Sequence, residues 1–256
     1  MANYNGSTIG KINEPVNEIA SGTYNLREQC LYQREIIWPG SNYLRSGLAL
    51  RVDANDTSSY GGSGTTWLDI SGNGRNLSLV NGVSFNPAGY FDFDGVNDYA
   101  VTSNCGIGTG NSAHTLEMWV NADSWTNNNR RWWLAVIGQY NTGAHHWIGQ
   151  STTATAFGVW AGSQTSPTLQ ATGNWQQIVG THDGTTLKYY VNASQSGSTV
   201  TASFNFTNAN LNIGKRINNL EDYYNGKISV ISVYNRALSA AEVTQNYNAI
   251  KGRYGL

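Results

Sequence analysis

From Leu48 onward the chain alternates apolar and polar residues in short runs, and most runs end near Gly, Asn or Asp. A period of two in β-branched and aromatic residues predicts strands, and the punctuation predicts tight turns. LALRVD, NLSLV, GVSF, GYFDFDG, DYAVT and HTLEMWVNA read this way, followed by WWLAVIGQY, HHWIGQ and TAFGVWAG as a meander. In HTLEMWVNA, Leu116, Met118 and Val120 alternate with Thr115, Glu117 and Trp119, the pattern of a half-buried strand. Asn81-Gly82 and Asp94-Gly95 predict hairpins joining NLSLV to GVSF and GYFDFDG to DYAVT. A third hairpin, closed near Asp183-Gly184, places Leu187, Tyr189 and Val191 on one face and Lys188 and Tyr190 on the other.

The pattern changes once more near the end. Ile228, Val230, Ile231 and Val233 form a strand, the chain turns at Asn235-Arg236-Ala237, and Val243, Tyr247 and Ile250 then recur at helical spacing. Ser239 and Glu242 form a capping box, Leu238 and Val243 a hydrophobic staple, and Gly252 a left-handed stop. About a dozen strands with one terminal helix, and none between strands, predict an all-β fold. The expected architecture is a two-sheet antiparallel jelly-roll sandwich over residues 46–256.

Residues 1–45 break the rhythm. Alternation is poor, Pro15 and Pro39 punctuate the segment, and Glu14, Glu18, Glu28 and Glu35 are interspersed with Lys11, Arg27 and Arg34. A short helix is expected from Asn25 to about Ile37. Leu26, Leu31, Tyr32, Ile36, Ile37 and Trp38 need an apolar surface, either on this chain or on another protein. The segment reads as an anchoring arm.

Composition narrows the function classes. Only 12% of the 256 residues are charged and the net charge is −1, which argues against a nucleic-acid binder and against a polybasic membrane anchor. Two cysteines, Cys30 and Cys105, make no disulfide framework and are expected free. The N-terminus lacks a signal-peptide core and no apolar run is long enough to span a bilayer, so synthesis in the cytoplasm without ordinary export is expected.

Nine Trp and fifteen Tyr supply rings for a core or for a ligand. The stretch WTNNNRRWW joins Trp125, Asn127, Asn128, Trp132 and Trp133, and with Tyr140 and Trp147 it offers aromatic faces beside amides, the chemistry of sugar recognition. The competing reading is that most of these tryptophans fill the sandwich core. His145 and His146 point to opposite faces of a strand, and His114 and His182 are remote in sequence, so no zinc site is expected.

Taken in order, GLALRVDA, GTTWLDISGNGRNLSLVNGVSF, YFDFDGVNDYA, HTLEMWVNA, NWQQIVGTHDGTTLKYYVNA, LNIGK and GKISVISVYNRALSAAEV resemble the laminin-G-like domain of the concanavalin-A-like lectin/glucanase fold. The resemblance covers about residues 47–251 and is most specific at the final strand, YNRALS and helix. It implies two curved antiparallel sheets used to bind carbohydrate or protein. Enzymes of this fold carry paired carboxylates as E-x-D-x-x-E. Here Glu117 has Trp119 and Asn121 where same-face carboxylates would stand, and Asp92 and Asp94 have no third partner, so no catalytic residue is assigned and a non-enzyme is expected. Relatives of the fold often bind calcium, and Asp94, Asn97 and Asp98 are the candidate ligands, against the reading of Asp94-Gly95 as a plain turn. No cofactor is otherwise expected.

Within the arm, GTYNLREQCLYQREIIWP is similar to a short segment of tailed-phage virion proteins. Together the two resemblances imply a phage virion structural protein, a capsid decoration or a head or tail fibre component. It would dock on capsid or tail proteins through the arm, display a lectin-like domain toward cell-surface glycans, and assemble as a homo-oligomer such as a trimer. The alternative is a secreted bacterial carbohydrate-binding module or glucanase-like protein.

Overall fold

In the computed structural model the alternating runs become strands of two antiparallel sheets; it describes residues 43–125, 133–138, 145–150, 155–159, 164–207, 209–216 and 222–256, without the side chains of Trp133, Gln150, residues 155–159 and Gln164. The first eight strands are β1 (Leu48–Asp53), β2 (Thr66–Trp67), β3 (Leu77–Val80), β4 (Ser84–Asn86), β5 (Tyr90–Asp94), β6 (Tyr99–Thr102), β7 (His114–Ala122) and β8 (Trp133–Ile137). They are followed by β9 (His146–Gln150), β10 (Thr155–Val159), β11 (Gln164–Thr165), β12 (Gln176–His182) and β13 (Thr186–Val191). The last are β14 (Ser194–Gln195), β15 (Val200–Thr201), β16 (Leu211–Ile213) and β17 (Asn225–Tyr234). One sheet runs β14-β13-β12-β7-β17-β5-β4, with β1 also on β17 and β15 on β13; the other runs β11-β10-β9-β8-β16-β6-β3-β2. The meander and the Asp183-Gly184 hairpin form as the sequence predicts.

Two predicted hairpins do not form. At the first, Asn81 (φ 67°) and Gly82 (φ 98°) adopt the left-handed pair a tight turn needs, yet β3 lies in one sheet and β4 in the other. β5 and β6 part in the same way across Asp94-Gly95. A turn reverses the chain without choosing the partner strand. Here Leu77 and Leu79 on one side and Phe91 and Phe93 on the other meet in the interior, and the Trp67 and Phe91 rings touch at 4.7 Å between the sheets. Burial between the layers outweighs local pairing.

β7 corrects a second expectation: all nine of its residues are buried, not half of them. Leu116, Met118 and Val120 enter the core. On the opposite face a polar row crosses the sheet, where Gln177 Nε2 donates to Glu117 Oε1 (2.8 Å) and Arg51 reaches Asp53 (2.9 Å) and Ser232 (3.4 Å). A period of two therefore separated apolar from polar residues correctly, but not inside from outside.

The terminal helix, α1 (Ala240–Ile250), starts as the capping box requires. Ser239 N–H donates to Glu242 Oε2 (2.8 Å), and Glu242 N–H donates to Ser239 Oγ (3.3 Å). Leu238 and Val243 are both buried. Arg236 grips the same Glu242 carboxylate at 2.7 and 3.0 Å. Gly252 is not the stop: a 3-10 turn runs over Lys251–Tyr254, and the left-handed residue is Gly255 (φ 73°). The chain divides into a unit Arg45–Val243, which holds both sheets, and a second that contains Thr244–Leu256. No helix among the described residues is long and apolar enough to cross a membrane.

Candidate functional site

Strand alternation decides which side chains of the first sheet turn away from the core. On β5, Phe91 and Phe93 face inward, which leaves Tyr90 and Asp92 on the outer face, both half-buried. Asp92 pairs with Lys227 on β17, and Lys227 with Asn121 on β7, so one row of outward side chains crosses three strands. Asp123 lies just beyond β7 and accepts a hydrogen bond from Lys227 Nζ. Trp175 immediately precedes β12, and its ring meets that of Tyr90 edge-on at 5.8 Å. Since β17 and β7 lie between β5 and β12, the two rings reach toward each other across both strands.

The electrostatics of this cluster are acidic. Burial raises the Asp92 pKa; the Lys227 ammonium opposes that rise and the Asp123 carboxylate adds to it. On Lys227 burial disfavours the charge, but the hydrogen bond to Asp123 and the Asp92 and Asp123 charges raise its pKa overall. Asn121 Nδ2 donates to the Gly173 carbonyl (3.0 Å), which ties the loop before β12 to β7. Its Oδ1 is buried with no hydrogen-bond partner among the described residues. Two half-buried rings, two carboxylates, an amide oxygen and an ammonium thus share one shallow face. Aromatic rings cover the apolar face of a ligand, and a few placed polar groups fix its orientation.

Of these residues only Asp92 was weighed from the sequence, as a carboxylate beside Asp94 without a third partner, and none was assigned to a ligand site. The available signal was the outward set Tyr90, Asp92 and Asp94 of β5; what lay hidden was that Asp123 and Trp175, from two other segments, meet it. Of the predicted residues, Trp125 is half-buried against the core, with its indole N–H on the Gln170 carbonyl (2.8 Å) and its ring 6.4 Å from Tyr224. Trp147 is 1% exposed, so protein covers both faces of its ring. Trp133 begins β8, and its side chain lies outside the description. Asn127, Asn128, Trp132 and Tyr140 lie outside the described residues, as do Leu26, Leu31, Tyr32, Ile36, Ile37 and Trp38 of the arm. The calcium candidates Asp94, Asn97 and Asp98 sit in one turn. There Asp94 Oδ1 accepts from the N–H of Val96 (2.8 Å) and Asn97 (3.1 Å), and Asp98 Oδ2 accepts from Asp94 N–H (3.2 Å).

The histidines correct the sequence argument in another way. Distance along the chain was a poor guide, because His114, His146 and His182 gather in the core around Phe204. His114 and His146 join at 2.9 Å and His146 joins Tyr189 Oη at 2.8 Å, linking the two sheets. His114 Nδ1 faces the Ser112 carbonyl at 2.9 Å, which fixes it as a donor in neutral imidazole. It follows that His146 Nδ1 donates to His114 Nε2, and Tyr189 donates to His146 Nε2. Burial pushes the His114 pKa down to about 4 and that of His146 well below its ordinary value, with neighbouring imidazoles adding to both. Among the described residues no group of three or more His, Cys, Asp or Glu could hold a metal ion. These imidazoles bond to one another and to their surroundings.

A family model described as the Concanavalin A-like lectin/glucanases superfamily matches residues 94–244. No curated protein matches the chain. Among solved structures, the sialidase of Trypanosoma rangeli is similar with a TM-score of 0.62 at 16% identity, over 82% of this chain and 34% of the sialidase. The receptor binding domain of botulinum neurotoxin D gives 0.61 at 12% identity, over 79% of this chain and 52% of that one. The binding domain of Paraclostridial Mosquitocidal Protein 1 gives 0.62 at 16% identity, over 80% and 52%. This chain thus spans about a third of the sialidase and about half of each toxin domain. The likeness is one of fold. It overturns the expectation of a non-enzyme: a missing E-x-D-x-x-E motif speaks to one glucanase arrangement only, and enzymes share this architecture.

Proposed function

Because the chain belongs to the concanavalin A-like lectin/glucanase superfamily, we propose that its sandwich binds carbohydrate on the outer face of the first sheet, as an adhesion module. The observation that carries this reading is the Tyr90–Trp175 pair, two half-buried rings in edge contact beside Asp92, Lys227 and Asp123. A pyranose has an apolar C–H face and a rim of hydroxyls, which suit rings flanked by carboxylates. The named partners of similar folds agree in kind: one structure of the T. rangeli sialidase holds sialic acid, and the two toxin segments are binding domains.

The test is a glycan array probed with the wild-type chain and with Tyr90→Ala and Trp175→Ala. Each variant is expected to lose binding about tenfold, the effect of roughly 1.4 kcal/mol. Retained binding in both would move the site elsewhere.

Residues 1–45 supply the second half of the proposal. Their similarity to a tailed-phage virion segment supports display of the sandwich on a virion surface, with the apolar arm residues docked on capsid or tail proteins and several copies arranged symmetrically.

A further inference from the structure

Resting on that carbohydrate reading, we infer that the site selects neutral sugars and rejects carboxylated ones, because among the described residues its carboxylates outnumber its one cation and that cation is already engaged. No described group donates a hydrogen bond to the Asp92 carboxylate, so both its oxygens are open to ligand donors. Asp123 is 41% exposed at the side chain and holds Lys227, itself only 24% exposed. Asn121 adds a buried oxygen that lacks a donor. Three acceptor groups thus surround one committed ammonium.

A ligand hydroxyl satisfies such a face, since each O–H can donate to a carboxylate and a charge-assisted hydrogen bond is the stronger kind. A sugar carboxylate does the opposite. It brings no donor, meets two like charges at close range, and must draw Lys227 from Asp123 before it gains a cationic partner. Juxtaposed like charges act against the wrong ligand, the repulsive half of specificity.

The experiment compares probes with matched polysaccharide character: neutral galactan and β-glucan against polygalacturonate and alginate, at constant ionic strength, with the full chain. At least one neutral probe is expected to bind at least tenfold more tightly than either acidic probe. Asp92→Asn, which keeps the shape and removes the charge, is expected to narrow that gap at least threefold. Equal or tighter binding of the acidic probes by the wild type overturns the charge argument while leaving carbohydrate binding intact. An unchanged gap in Asp92→Asn overturns it too. Failure of every probe, with Tyr90→Ala and Trp175→Ala indistinguishable from wild type, removes the carbohydrate reading itself and the inference with it.

Discussion

Protonation is the most direct handle on the interior histidines. His114 has a folded pKa of about 4 against an unfolded value near 6.5, so above that value the neutral chain costs nothing. As pH falls the unfolded state takes up the proton first, and stability is lost between about pH 6.5 and pH 4, by roughly 3 kcal/mol for His114. His146 acts in the same direction. The carboxylates of Asp183 and Glu242 are held down to about 2, so their contribution is lost as pH falls from the ordinary carboxylate values to about 2, mostly below the histidine window. Melting temperature is therefore expected to fall steeply between about pH 7 and pH 4.5, and a His114→Phe/His146→Phe variant to show a flatter slope over that range. Cys105 offers a second check. It is fully buried with its pKa pushed up to about 12, so a thiol reagent should modify it only on unfolding. Little of this was legible in advance. Sequence shows which residues titrate, but three histidines more than thirty residues apart meet only because β7, β9 and β12 fold against one another.

At the scale of elements, the sequence was most informative where the signal was local. The capping box of α1 needed only Ser239, Glu242 and their spacing, and both hydrogen bonds are present. Ser239→Ala is expected to cost about 1 kcal/mol in chemical denaturation, and a cost near zero would show that Arg236 holds the helix start without the cap. Strand partners were not legible at Asn81-Gly82 and Asp94-Gly95, because turn chemistry specifies reversal and the core chooses the sheet. Gly226 shows how tightly that choice is enforced. It sits at φ 144°, and an added Cβ would lie 2.6 Å from the Asn121 carbonyl and 2.7 Å from Ala122 Cα, both backbone. Gly226→Ala is expected to destabilise by about 2 kcal/mol or more, since β7 and β17 must separate at the centre of the sheet.

For the whole molecule, the sequence pattern sufficed for the sandwich because a period of two recurs along most of the chain and the one α-helix among the described residues comes after the last strand. The candidate site was less accessible, because its parts come from β5, β17, the end of β7 and the approach to β12, and only the finished sheet sets them side by side. Asp123 and Trp175 had no pattern of their own to mark them. The virion proposal belongs at this scale as well: chains lacking residues 1–42, which keep buried Tyr43 and the Leu44 N–H bond to Asn246 Oδ1 (2.9 Å), should stay folded, with melting unchanged, and should fail to copurify with assembled particles. Truncated chains that still copurify would place the anchor in the sandwich. For carbohydrate binding by the outer face, the decisive measurement is calorimetric titration of a glycan identified by the wild type into a Tyr90→Ala/Trp175→Ala variant of unchanged melting temperature. The account predicts that binding heat disappears or that affinity falls at least thirtyfold, whereas wild-type affinity in that folded variant would contradict it.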